Sequence, residues 1–220
     1  MAKPYQPFLL RLLHGAIAIL AILALLTGFW VYNTYDRRWG SLPLPKLEDI
    51  QGIHGTIALT FLLLLPLFAF YCFHSGYRRL IQEQSLGQLS EWGKPASWLA
   101  LQRGVNTLML CAATGAVITG RMMKEEWLPA GEIHQAWYLA HLITWLGVFI
   151  SFLLHLLMGI KVGGIPLLLS MLTLQRRAAD KPAQWLQDIT LNPPSLVLKV
   201  IEGLVFGGIL LAFLLPAIAS

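Results

Sequence analysis

The sequence predicts an all-α membrane protein, a four-helix transmembrane bundle followed by a fifth, C-terminal transmembrane helix. Three observations carry this. The 220 residues are 56% hydrophobic and only 12% charged, whereas a soluble domain carries about 25% charged residues. The apolar residues gather into runs of about 20, the length that spans a bilayer as α-helix. Four of the six histidines lie inside those runs.

The first span, near Phe8–Val31, carries His14 about one and a half turns from its start. It is long, and Tyr32, Asn33 and Thr34 follow it rather than a small-residue cleavage site. It therefore reads as a retained helix and not as a signal peptide. A polar loop with Pro43 and Pro45 leads to the second span, near Ile50–Phe73, with His54 in its first turn and Pro66 deeper. A bundle tolerates such a proline where neighbours satisfy the freed carbonyl. The polar stretch Ser75–Ser97 is expected to form a short surface helix before the third span, near Leu99–Gly120. The fourth span, near Gln135–Ile160, carries both His141 and His155. After Gly163, Gly164 and Pro166, the apolar stretch Leu167–Leu174 is too short to span and is expected at the interface. The fifth span, Leu196–Ala219, has Lys199 and Glu202 in its first turns, where they would have to snorkel. The expected division is a four-helix domain at 1–162, a cytoplasmic or interfacial connection at 163–194, and the fifth helix at 195–220.

Charge orients the bundle. With the N-terminus in the cytoplasm, ten lysines and arginines fall inside. Only Arg37, Arg38, Lys46, Arg121 and Lys124 fall outside. The net charge of +5 follows from this bias, so no nucleic-acid partner is needed to explain it. Cys72 and Cys111 belong to no C-x-x-C-H attachment motif or metal-ligand cluster. They read as small apolar packing residues.

Histidine inside hydrocarbon is costly and usually marks function. His141 and His155 are fourteen residues apart, which in a helix is about 21 Å of rise and about 40° short of four full turns. The two rings therefore face almost the same way at different depths. His14 matches His155 in depth, near the inner face, and His54 matches His141, near the outer face. Two bis-histidine sites result, His14/His155 and His54/His141, with non-covalent haem b the expected occupant of each. Six-coordinate iron between neutral imidazoles suits electron transfer better than catalysis. Glycines beside and between these positions, including Gly15, Gly55, Gly28, Gly115 and Gly147, would let backbone stand back from a flat cofactor. His74, at the inner end of span two, reads as interfacial or as a substitute ligand. His134 reads as solvated.

The chain resembles the bacterial cytochrome b561 and Ni,Fe-hydrogenase cytochrome b-subunit superfamily, which includes formate dehydrogenase membrane subunits. The resemblance covers about residues 5–160. It rests on Arg11-Leu12-Leu13-His14, Leu26-Thr27-Gly28, His54, Leu101-Gln102-Arg103 and the His141/His155 pair. It implies a four-helix core with two b haems and electron exchange with quinone. In such proteins a quinone site often lies near the inner haem, where Gln102, Arg103 and Asn106 stand ready to contact a quinone carbonyl or a haem propionate. Many relatives follow the first ligand with tryptophan, where this chain has Gly15. The fifth span is closer to the hydrogenase-type subunits.

These readings converge on a dihaem cytochrome of a bacterial inner or other energy-transducing membrane. It would relay electrons between a partner oxidoreductase subunit and the quinone pool. Two alternatives stay open: a stand-alone quinone oxidoreductase using a small diffusible reductant, and a haem-free or single-haem transport or structural protein.

Overall fold

A computed structural model describes residues 6–173, 175–177, 180–181, 185, 189 and 195–218. Among them there is no strand. Six α-helices follow in order: α1 Phe8–Tyr35, α2 Ile50–His74, α3 Ser85–Ser90, α4 Pro95–Arg121, α5 Ala136–Leu172 and α6 Leu196–Ile218. Four of them, α1, α2, α5 and α6, are long and apolar enough to cross a membrane by length and composition. The third expected span, α4, is as long as these but carries Gln102, Arg103 and Asn106 in its first half and Arg121 at its end. Its place in the bundle is secured by packing, for it lies against both α5 and α6. The short surface helix expected before it is α3.

Local chemistry sets the helix ends. The Asp49 carboxylate caps α2 by accepting from the Gly52 amide at 3.2 Å, satisfying one of the orphan donors of the first turn. Pro95 opens α4 at the position where a missing N–H costs nothing. At the end of α1, the buried Asn33 holds the following loop. Its amide donates to the Leu42 carbonyl at 3.1 Å and its oxygen accepts the Leu42 amide at 2.7 Å. The loop is thereby fastened to the helix end at Leu42. α5 breaks at Gly164, whose φ of 68° lies in the left-handed region that glycine enters without a Cβ penalty. The break lies close to the expected domain boundary, and Pro166 follows it.

The fifth helix is not appended to a finished bundle. α6 packs against both α2 and α4, so the order around the bundle is α1, α2, α6, α4, α5 and back to α1. The main buried cluster sits on that side. It joins Phe61, Leu62, Leu65, Ala69 and Phe73 of α2 with Leu110 and Ala113 of α4 and Leu198, Val205, Ile209 and Ala212 of α6. Glu202, expected to snorkel, instead meets His74. His74 Nε2 and Glu202 Oε1 are 2.8 Å apart, and His74 is buried. Pairing offsets the cost of holding both groups out of water, and it ties α2 to α6. The outward faces carry Ile19, Leu63, Ile143, Leu157 and Leu204, all strongly exposed, as a surface bathed in lipid requires.

The connection after α5 falls partly outside the described residues. Its described part returns to α1. Arg11, buried in α1, donates to the Thr173 and Gln175 carbonyls and lies 3.6 Å from the Asp180 carboxylate. Asp180 in turn accepts the Phe8 amide at 2.9 Å.

Candidate functional site: two facing histidine pairs

The four intramembrane histidines are brought together as two pairs. The ring centroids of His14 and His155 are 5.9 Å apart, with planes inclined by 34°. Those of His54 and His141 are 6.2 Å apart, with planes at 66°. α5 supplies one ring to each pair, and α1 and α2 supply the other. An imidazole nitrogen binds a metal ion at about 2.0 Å. With each ring centre roughly 1.1 Å behind its nitrogen, centroids about 6 Å apart are expected from that bond length. Both pairs meet this spacing. The residues present therefore fit a haem, which His14 with His155 and His54 with His141 would hold.

Three of the four rings also have a hydrogen-bond partner at Nδ1, which leaves Nε2 free to bind a metal. His155 Nδ1 donates to Asn106 Oδ1 at 2.8 Å, and the same amide donates through Nδ2 to the Arg79 carbonyl at 2.9 Å. His54 Nδ1 lies 3.0 Å from Thr27 Oγ1, and His141 Nδ1 lies 3.0 Å from Thr119 Oγ1. Each hydroxyl already has a carbonyl for its own proton: Leu23 at 2.7 Å for Thr27, and Gly115 at 2.8 Å for Thr119. A hydroxyl has one proton to give, so each threonine accepts from its histidine. The proton then sits on Nδ1, and Nε2 keeps its lone pair as the ligand atom. Metal-bound histidines generally use their second nitrogen in this way.

Glycines next to the threonines complete the seats. A Cβ at Gly28 would come within 3.1 Å of His54 Cε1 and 3.1 Å of Trp145 Nε1, and one at Gly120 within 3.2 Å of His141 Cε1. The His54/His141 pair thus rests on two Thr-Gly steps, Thr27-Gly28 of α1 and Thr119-Gly120 of α4. By contrast, a Cβ at Gly15 or Gly55 would meet nothing within 4 Å, so the glycines that follow the ligands leave open space. Gly115 faces Thr144, and Gly147 faces Ala112.

A cavity of about 1270 Å³ surrounds the His54/His141 pair, bounded by Gly28, Gly55, Gly120, Trp145 and, toward the loops, Tyr32 and Trp39. That exceeds the roughly 300–1,000 Å³ of ordinary small-molecule sites and leaves room for a large planar cofactor. Trp145 is fixed on its wall by a 3.2 Å hydrogen bond to the Leu25 carbonyl and by stacking on Phe149. At the loop end, Tyr138 donates to Asp36 at 2.8 Å, and Arg38 binds the same carboxylate at 2.8 Å. Around the other pair, Phe68 lies edge-on to His14 at 6.4 Å.

Asn106 is therefore engaged with a histidine ring and a backbone carbonyl. Arg103 Nε donates to the Arg78 carbonyl at 3.0 Å. Gln102 is half-buried one turn from Asn106 on the same helix. His134 is exposed, and His74 belongs to the α2–α6 contact rather than to either pair. Sequence reasoning missed Thr27 and Thr119 as supports of the ligands. The signal available was the repeated Thr-Gly step, read only as part of a family pattern in α1.

Apolar helices bring two pairs of imidazoles face to face in their interior. The chain belongs to the prokaryotic cytochrome b561 family, whose model matches residues 5–174. The match extends past the expected end of the resemblance, to the end of the segment after the Gly164 break. The protein is accordingly a b-type cytochrome that transfers electrons in a membrane. No curated protein and no solved structure matches the chain significantly.

Proposed function

We propose that the chain holds two b haems, one between His14 and His155 and one between His54 and His141. It would carry electrons across the membrane between a partner oxidoreductase subunit and the quinone pool. The carrying observation is that both pairs have the spacing of trans imidazole ligands while three of the rings donate through Nδ1. Bound between two imidazoles, haem supplies reversible one-electron transfer with no open coordination position. The helices set the two sites about 21 Å apart along α5, one toward each face of the membrane. The charge bias supports an N-terminus, and with it a His14/His155 site, on the cytoplasmic side. Near that site Gln102, Arg103 and Asn106 are the polar side chains that would meet a quinone headgroup. Asn106 would link such a headgroup to His155.

The test is a pyridine haemochrome assay with reduced-minus-oxidised spectra on purified protein. Two b haems per chain are expected, and His155→Ala is expected to lose one of them while His54 and His141 keep the other. A colourless preparation, or a His155→Ala protein with both haems, refutes the reading. Reoxidation of the dithionite-reduced protein by a short-chain quinone tests the acceptor, and co-purification in mild detergent tests for the partner subunit.

A further inference from the structure

The two histidine pairs are built differently. At the His54/His141 pair both rings donate to a threonine hydroxyl, each threonine is followed by a glycine that seats the ring, and the planes are crossed at 66°. At the His14/His155 pair the planes are at 34°, and His155 donates to the Asn106 amide. Among the described residues, His14 has no hydrogen-bond partner for its ring nitrogens. We propose that Thr27 and Thr119 are positioning residues that hold the His54 and His141 rings crossed, giving the haem of that site an electronic state and a potential distinct from the other's. The inference rests on the two-haem reading.

The physical link has two parts. Ring orientation sets how each imidazole π-orbital meets the iron d-orbitals. Parallel rings donate into one d-orbital and split the pair, whereas crossed rings donate into both and leave them nearly degenerate. The oxidised His54/His141 haem should therefore give a highly anisotropic low-spin electron paramagnetic resonance signal, and the His14/His155 haem a rhombic one. Separately, donation from Nδ1–H raises the basicity of the ligand nitrogen and favours ferric iron, which lowers the potential. Hydrogen bonding around the ligands is among the ways a protein tunes haem iron.

The experiment compares wild type, Thr27→Val, Thr119→Val and Thr27→Ser by potentiometric titration and by resonance spectra of the oxidised proteins. The second-site signal is identified as the one lost in His54→Ala. Each valine variant keeps the shape of threonine but removes the acceptor. In each, the anisotropic signal should move and the potential of that haem should rise, about tenfold in ferric preference or about 59 mV for a one-electron couple. The rhombic signal should stay and serve as the control for folding, and Thr27→Ser, which keeps the acceptor, should restore wild-type behaviour. Valine variants with unchanged signals and potentials overturn the threonine role, as does a serine variant that behaves like valine. A wild type without two haems refutes the underlying reading instead.

Discussion

Gly28→Ala adds one methyl group at the point where α1 passes beneath the His54 ring. Its Cβ would stand 3.1 Å from His54 Cε1 and 3.1 Å and 3.2 Å from Nε1 and Cδ1 of Trp145. Ordinary carbon contacts lie at about 3.5–4.0 Å, so the rings must give by a few tenths of an ångström. Neither is free to do so. His54 is tied to Thr27 at 3.0 Å, and Trp145 is tied to the Leu25 carbonyl at 3.2 Å. Overpacking of this kind costs about 1–3 kcal/mol, against which alanine returns up to about 1 kcal/mol of helix propensity. The two terms fall in different places. The propensity gain belongs to the helix alone, while the clash displaces the His54 ring from the position in which it faces His141. Haem affinity at the second site should fall about 5- to 150-fold, with the His14/His155 site unaffected. Titration of haem into apoprotein, followed at the Soret band in detergent, measures both sites. Gly203→Ala is the control, since a Cβ there meets nothing within 4 Å. If Gly28→Ala binds its second haem as tightly as the control does, the seat ascribed to the Thr27-Gly28 step is wrong.

Two further perturbations probe the scaffold. His74→Ala removes the buried partner of the half-buried Glu202, 2.8 Å away, and should lower stability by about 1–3 kcal/mol, the cost of leaving a polar group without its partner. Thermal melts in detergent should show it, and a melt within 1 °C of wild type would mean that the pair does not hold α6. Asn33→Ala deletes both hydrogen bonds to Leu42, at about 1 kcal/mol each. Limited proteolysis should then cut the loop between α1 and α2 faster while the haem spectrum is unchanged, and equal cutting rates would count against the clamp.

The helices were readable from the sequence because hydropathy and length act locally, and α1, α2, α5 and α6 each announce themselves by composition. Which histidine rings face each other was readable too, because helix geometry converts a spacing along one chain into depth. What could not be read is lateral. Nothing in the apolar run of α6 says that it lies between α2 and α4, because lipid-facing and protein-facing leucines look alike. For the same reason Glu202 looked like a residue heading for water, when its partner His74 lies far away in sequence. The threonines were hidden by their ordinariness. A threonine in an apolar helix usually bonds its own backbone, as Thr60 does to Thr56 at 2.8 Å. Thr27 and Thr119 do that as well, and only the neighbouring helix reveals the second use.

The arrangement separates two kinds of contact. α1 packs chiefly on α2, and α4 on α5, so the core is two helical hairpins. Among the described residues, each hydrogen bond that orients a ring of the two facing pairs stays within one hairpin: His54 of α2 on Thr27 of α1, His141 of α5 on Thr119 of α4, and His155 of α5 on Asn106 of α4. Both histidine pairs, by contrast, cross from one hairpin to the other, His14 of α1 to His155 and His54 of α2 to His141. Each hairpin can therefore aim its own ligands before the two meet. The direct contact between α1 and α5 is slight, and the apolar mass that joins the hairpins without a cofactor lies on the far side, at α6. On the near side the joint is the Trp145 contact with Leu25 and Phe29 of α1 and the space between the rings. A group bound there would act as the staple that closes the bundle, and its removal should loosen α1 against α5 while leaving the α2–α6–α4 side intact. Hydrogen exchange of apo and loaded protein separates the two sides: protection gained on loading should fall in α1 and α5. An even gain across α6 would show that the two sides close as one.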